Sequence, residues 1–147
     1  MRVVAVSEEV QQFGTYVERI DFTMNQYLIS GDEPMLVQTG PVSIAGELVE
    51  KVKETLRGGS PAYVFISHFE SDECGGLALL LEHFPKIKPI CSETTARQLA
   101  GFGIYNSSLV DRDRIFPPQV SHGNSCPLLY LCRSLGAVFW FLRKGFC

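Results

Sequence analysis

Short apolar runs, each about a strand in length and each followed by a polar or glycine-bearing break, recur through the first hundred positions of the chain. Residues 3–6 open with one such run. Residues 24–29 and 35–38 form two more, separated by Ser30-Gly-Asp-Glu-Pro34, a composition that suits a hairpin with a polar tip. From Glu47 to Leu56 the period changes. Leu48, Val49, Val52 and Leu56 mark one face of a helix, which Gly58-Gly59 closes. The run at residues 62–66 is apolar at every position, as in a central strand with both sheet faces covered. Residues 76–84 read as a helix stopped by Pro85, and residues 88–91 as a further strand. Ser92 caps a helix over residues 93–99. Strand, helix, strand, helix with crossovers of about 20 residues predicts parallel pairing in an α/β layer structure.

Beyond Phe102 the pattern weakens. Residues 112–119 contain consecutive prolines and read as loop. From Cys126 the chain becomes an apolar tail almost without acids, which leaves open a strand pair broken at Gly136, a surface between subunits, or a non-native end. Its apolar stretch is interrupted by Arg133 and is shorter than the ~20 residues a membrane span needs, so no membrane partner is expected.

Composition narrows the classes further. The 147 residues suffice for a single domain with a sizeable core, and 46% hydrophobic with 20% charged residues is a globular composition. A net charge of −3, with the basic residues scattered among acids, gives no electrostatic case for nucleic acid. The five cysteines, Cys74, Cys91, Cys126, Cys132 and Cys147, have no paired spacing and suit free thiols in a reducing cytosol. Glu8 and Glu9 follow the opening run where a secretory leader would continue apolar, so a cytoplasmic location is expected.

The chemistry concentrates in His68-Phe-Glu70-Ser-Asp72-Glu73-Cys-Gly75-Gly76, directly after the most apolar strand. On an extended chain positions 68, 70 and 72 share a face but stand about 7 Å apart in succession. Gathering them onto one ion requires the backbone to curl, and Gly75-Gly76 would permit a tight turn into the next helix. One imidazole with two carboxylates is a donor mixture for iron, manganese or zinc, and no cysteine at ligand spacing supports an iron–sulfur site. A polar loop that merely ends a sheet is the plain alternative. The position favours a site, because ligands collect at the carboxyl ends of strands in open α/β sheets. His83, near a helix end, is explained by solvent or by the helix dipole.

These residues resemble the first metal motif of the metallo-β-lactamase fold, in its di-iron branch of flavodiiron and oxygen-binding di-iron proteins. That branch carries His-x-Glu-x-Asp where hydrolytic relatives carry His-x-His-x-Asp-His. Met24-Asn-Gln-Tyr-Leu-Ile29 is similar to the family's early Asn-Ser-Tyr-Leu-Ile strand, and Met35-Leu-Val-Gln-Thr39 to its Leu-Ile-Asp-Thr strand. Pro85-Lys-Ile-Lys-Pro-Ile-Cys-Ser92 with the following helix is similar to the next strand and helix. The likeness runs over roughly residues 15 to 105.

The resemblance implies a partial αββα sandwich with a mixed sheet, the 147 residues forming one incomplete domain of that fold. It implies iron, two ions if the site is complete, with zinc or manganese as other occupants. His68 and Glu70 would bind the first ion, Asp72 the second, and His122 would stand for the family's middle His. No bridging Asp or final His follows His122. Glu73 replaces a His of the flavodiiron motif, and Gln38 replaces an Asp. The implied activity is oxygen or nitric oxide binding, with reduction drawing on an external electron donor, since no flavin domain fits in these residues. Two other readings stand beside it. One is a metal-dependent hydrolase, which Glu70 in place of a second His makes less apt. The other is a non-catalytic module that covers its sheet by homo-oligomerisation through Phe139, Trp140 and Phe141.

Overall fold

The computed structural model of the chain describes residues 1–104, which lie within one compact unit, Met1–Ile115. The expectations for residues 112–119, for His122 and for the tail from Cys126 fall outside the described residues. Six strands form one sheet in sequence order: β1 (Arg2–Ala5), β2 (Val10–Val17), β3 (Phe22–Ile29), β4 (Met35–Val37), β5 (Tyr63–Ile66) and β6 (Lys88–Cys91). The first four pair antiparallel, and β4–β5 and β5–β6 pair parallel, so the sheet is mixed. Four α-helices, α1 (Val42–Thr55), α2 (Ser71–Cys74), α3 (Leu77–His83) and α4 (Glu93–Gly101), and a short 3-10 turn over Glu18–Ile20 complete the described residues.

The change from antiparallel to parallel follows from the connections. Five residues join β3 to β4 and allow only a hairpin, whereas helices fill the crossovers from β4 to β5 and from β5 to β6. Both crossovers, wound with the same hand, lay their helices on the same face of the sheet. There Leu48, Val49 and Val52 of α1, Leu77 and Leu80 of α3 and Leu99 of α4 form one cluster with Phe13, Leu28, Leu36, Val64 and Ile66. Register places Leu28 beside Leu36 and Leu36 beside Val64, so the strands present one continuous apolar row to the helices. Val10, Ile29, Met35, Val37 and Ile90 on the alternate positions are also buried, which makes the sheet apolar on both faces. On β5 itself Val64 and Ile66 are buried and Tyr63 and Phe65 half-buried.

Helix α1 begins five residues before the expected Glu47. Pro41 supplies the extended N-cap residue, and the buried stripe starts at Ile44 and Ala45. It ends as the glycines require, with the Gly58 N–H donating to the Lys53 carbonyl at 2.8 Å and φ of 85° at Gly58. Ser92 caps α4 as expected, its Oγ accepting from the Thr95 N–H at 3.2 Å. Strand β2 was not expected. Its buried Val10 and Phe13 are three apart, a spacing that hides a strand's alternation, and its full-length pairing with β3 supplies the order.

Candidate metal site

The loop that carries His68 and Glu70 leaves the carboxyl end of β5, between β4 and β6, and is braced by the end of β4. The strand ends at Ile66, the chain bends at His68 and Phe69, and Glu70, extended with φ of −134° and ψ of 153°, leads into the single turn of α2. The Glu70 carbonyl accepts from the N–H groups of Glu73 (3.0 Å) and Cys74 (2.9 Å). The bend at His68 and Phe69 brings the His68 and Glu70 side chains together while Phe69 turns to the core. Phe69 packs against the core, its ring 5.0 Å from that of Phe102 just past α4.

His68 Nε2 lies 3.3 Å from Glu70 Oε2, both side chains being substantially exposed (43% and 62%). Two ligands of one ion with bonds of about 2.0–2.2 Å stand about 3 Å apart, so this pair has the spacing of neighbouring ligands. The other imidazole nitrogen, Nδ1, is 2.8 Å from Ser67 Oγ. Ser67 in turn donates to Glu73 Oε2 at 3.0 Å and accepts from Gln38 Nε2 at 3.3 Å. Asp72 is half-buried in the first turn of α2. Among the described residues no group of three or more His, Cys, Asp and Glu side chains is arranged to hold an ion, so the pair His68 and Glu70 is what the fold itself assembles. An imidazole nitrogen and a carboxylate oxygen, side by side and open to solvent, fit two positions on iron, zinc or manganese.

Burial pushes the Glu73 carboxyl above the usual carboxylate range; Ser67 and His68 hold it down in part, while Asp72 and Glu70 add to the rise. Burial also raises both thiols behind the loop, Cys74 and, to about 11, Cys91. Both are buried and free. A few per cent of thiolate or less at neutral pH makes them packing groups rather than nucleophiles. His83 is exposed at the end of α3.

The loop is fastened from the β4 side. Gln38 stands at φ of 64°, and its N–H still donates to the Phe65 carbonyl at 2.8 Å, extending the β4–β5 pairing by one residue. The Thr39 N–H donates to the Glu73 carbonyl at 2.8 Å, and the fully buried Thr39 Oγ1 accepts from the Gly76 N–H at 3.1 Å. Gly75 and Gly76 do not serve the tight turn expected of them, since both have ordinary helical φ values. Their need is space. A Cβ on Gly76 would lie 2.7 Å from Ala45 Cβ, and one on Gly75 2.3 Å from the Ser71 carbonyl oxygen and 3.1 Å from Pro41 Cα. Ser67 and Thr39 carry no signal in the sequence beyond being small polar residues at strand ends. The pairing of β4 with β5 is what gives them their roles.

The family described as ODP family beta lactamase has a sequence model that matches residues 22–126. The chain belongs to the ODP family of beta lactamases. Flavo-diiron protein FprA2 of Clostridium acetobutylicum is 38% identical over 68 residues, which is 46% of this chain and 17% of that protein. The anaerobic nitric oxide reductase flavorubredoxin of Aliivibrio fischeri is 27% identical over 77 residues, 52% of this chain and 16% of that protein. This ODP-family chain thus spans about a sixth of the length of the curated relatives it matches. Among solved structures, the metallo-beta-lactamase of Hirschia baltica aligns with a TM-score of 0.57 at 22% identity, covering 76% of this chain and 52% of that one. The metallo-beta-lactamase from Pontibacter korlensis gives 0.58 at 20%, covering 76% and 50%. At those identities the likeness establishes the fold, a metallo-β-lactamase-type α/β arrangement with a mixed sheet. No helix among the described residues is long and apolar enough to cross a membrane.

Proposed function

We propose that this ODP-family chain supplies the first metal-binding loop of a di-iron centre that binds dioxygen or nitric oxide. The observation that carries the reading is the pair His68 Nε2 and Glu70 Oε2, 3.3 Å apart at the carboxyl end of β5. Glu70 is the discriminating residue, because a carboxylate beside the imidazole suits iron and keeps negative charge at the site. The named flavo-diiron and flavorubredoxin relatives support the same choice. Asp72 and His122 are the further ligands we assign. Iron held there supplies redox capacity and an open position for a diatomic ligand, and reduction would draw electrons from a separate donor. The protein's own residues do the rest. Phe69, packed inward, orients the loop, Ser67 holds the imidazole, and the exposed side of the His68 and Glu70 pair leaves room for a small ligand to approach.

Anaerobic titration of the full chain with iron(II), followed by elemental analysis after desalting, tests the reading. Wild type is expected to retain iron and to develop a nitrosyl absorption on addition of nitric oxide. His68→Ala and Glu70→Ala are each expected to weaken retention at least about tenfold, as loss of a ligand costs no less than loss of its supporting hydrogen bond. Wild type that retains no iron, with His68→Ala behaving identically, overturns it. The same imidazole and carboxylate also suit zinc, and retention of zinc with hydrolysis of a lactam, thioester or phosphoester would select the hydrolase reading instead.

A further inference from the structure

The geometry points to Ser67 and Glu73 as positioning residues that hold the His68 imidazole with its proton on Nδ1 and turn its Nε2 lone pair toward the side where Glu70 stands. The inference rests on the proposed metal-binding reading for its purpose, but not for its test. A serine hydroxyl has one hydrogen to give and two lone pairs with which to accept. Three polar atoms lie around Ser67 Oγ: Glu73 Oε2 at 3.0 Å, His68 Nδ1 at 2.8 Å and Gln38 Nε2 at 3.3 Å. The Gln38 amide nitrogen can only donate, and an ionised Glu73 carboxylate can only accept. The single Ser67 hydrogen therefore goes to Glu73, which leaves an oxygen lone pair for His68 and requires Nδ1 to carry a hydrogen. Reversing the Ser67 hydrogen toward Nδ1 would set its oxygen against a carboxylate oxygen 3.0 Å away, in a half-buried place where water relieves the repulsion only in part. With all three contacts in one sense, Ser67 uses its full capacity.

A neutral imidazole with hydrogen on Nδ1 has a bare Nε2, and Nε2 is the nitrogen 3.3 Å from Glu70 Oε2. Two acceptors at that distance repel one another unless a proton or a metal ion stands between them, so the arrangement holds a place for a cation, which under the proposed reading is the metal. Glu73 thus acts through Ser67 and not as a ligand. Its carboxylate is turned to the serine, and its own backbone is tied on the far side, the carbonyl accepting from the Thr39 N–H at 2.8 Å. Gln38 reinforces the same orientation as the second donor to Ser67, and Ser67→Thr, which keeps the hydroxyl, should preserve it.

Long-range nitrogen–proton correlation spectra of the imidazole in the metal-free protein at about pH 8 read the tautomer directly. Wild type is expected to show His68 with hydrogen on Nδ1. In Ser67→Ala the resonance should move to the Nε2–H form that solvated imidazole prefers, and in Ser67→Thr it should stay. Competition titration with zinc(II), or anaerobically with iron(II), should then show affinity lowered about 10- to 100-fold in Ser67→Ala and near wild type in Ser67→Thr. A wild-type imidazole carrying hydrogen on Nε2 overturns the inference without any variant having to fold. Retention of Nδ1–H in a folded Ser67→Ala overturns it as well. Wild type with the expected tautomer but no affinity for either metal upholds the hydrogen-bond assignment and removes the iron reading instead.

Discussion

Thr39 has no charge and no exposure, yet it ties the loop's far end to the sheet through its N–H, to the Glu73 carbonyl, and through its hydroxyl, to the Gly76 N–H. Thr39→Val keeps the shape and removes the hydroxyl, so it should cost about 1–2 kcal/mol in urea unfolding, with Thr39→Ser nearer to wild type. Glu73 gives a dependence on pH. Its carboxyl is raised by burial in the fold, so the folded protein holds that proton more tightly than the unfolded chain does. The associated stability is present below the unfolded value of about 4.5 and is lost as pH rises through the folded value. Metal-free wild type should therefore lose stability relative to Glu73→Gln between pH 4 and neutrality, measured by denaturant midpoints at successive pH values. At this scale the sequence makes His68, Glu70 and Asp72 conspicuous, because their residue types alone suggest ligands. Ser67 and Thr39 stay silent there, since a hydroxyl gains meaning only from what lies across the strand pair.

Helix α1 shows why some elements could be read and others could not. Leu48, Val49 and Val52 announce it, while Gly46 and the β-branched residues of its first turn conceal its start at Val42. Its buried face is the main cover of the sheet's helical side, and Leu48 is wholly enclosed. Leu48→Ala should destabilise the protein by about 2–5 kcal/mol, the cost of a cavity in a close-packed core, read as a shifted denaturation midpoint. The strands β3 to β6 and helices α3 and α4 follow their apolar patterns and their punctuation by Pro85, Gly58 and Ser92. Strand β2 does not, because its order comes from eight residues of pairing with β3 and not from its own alternation. The short turn α2 is likewise invisible in a segment of four polar or small residues.

The whole described unit is one sheet with two characters, an antiparallel half that begins at β1 and a parallel half that ends at β6, joined at β4. Leu36 faces Leu28 across an antiparallel pair and Val64 across a parallel one. The candidate loop lies on the parallel side, where strand ends and helix starts converge, the usual place for ligands in such sheets. The family match reaches residue 126, so the kinship extends through this half and beyond it. Strands β4 and β5 are short, three and four residues, yet Gln38, Thr39 and Ser67 sit directly on their ends. Alignment of Val37 with Phe65 is what sets Gln38 within reach of Ser67. A slip by one position would part them by about 3.3 Å and turn each side chain to the opposite face. The sheet thus works as a caliper. Two strands that touch no ion themselves set the gauge for the imidazole beside them, and the fidelity of any chemistry at His68 is inherited from how those strands were zipped together.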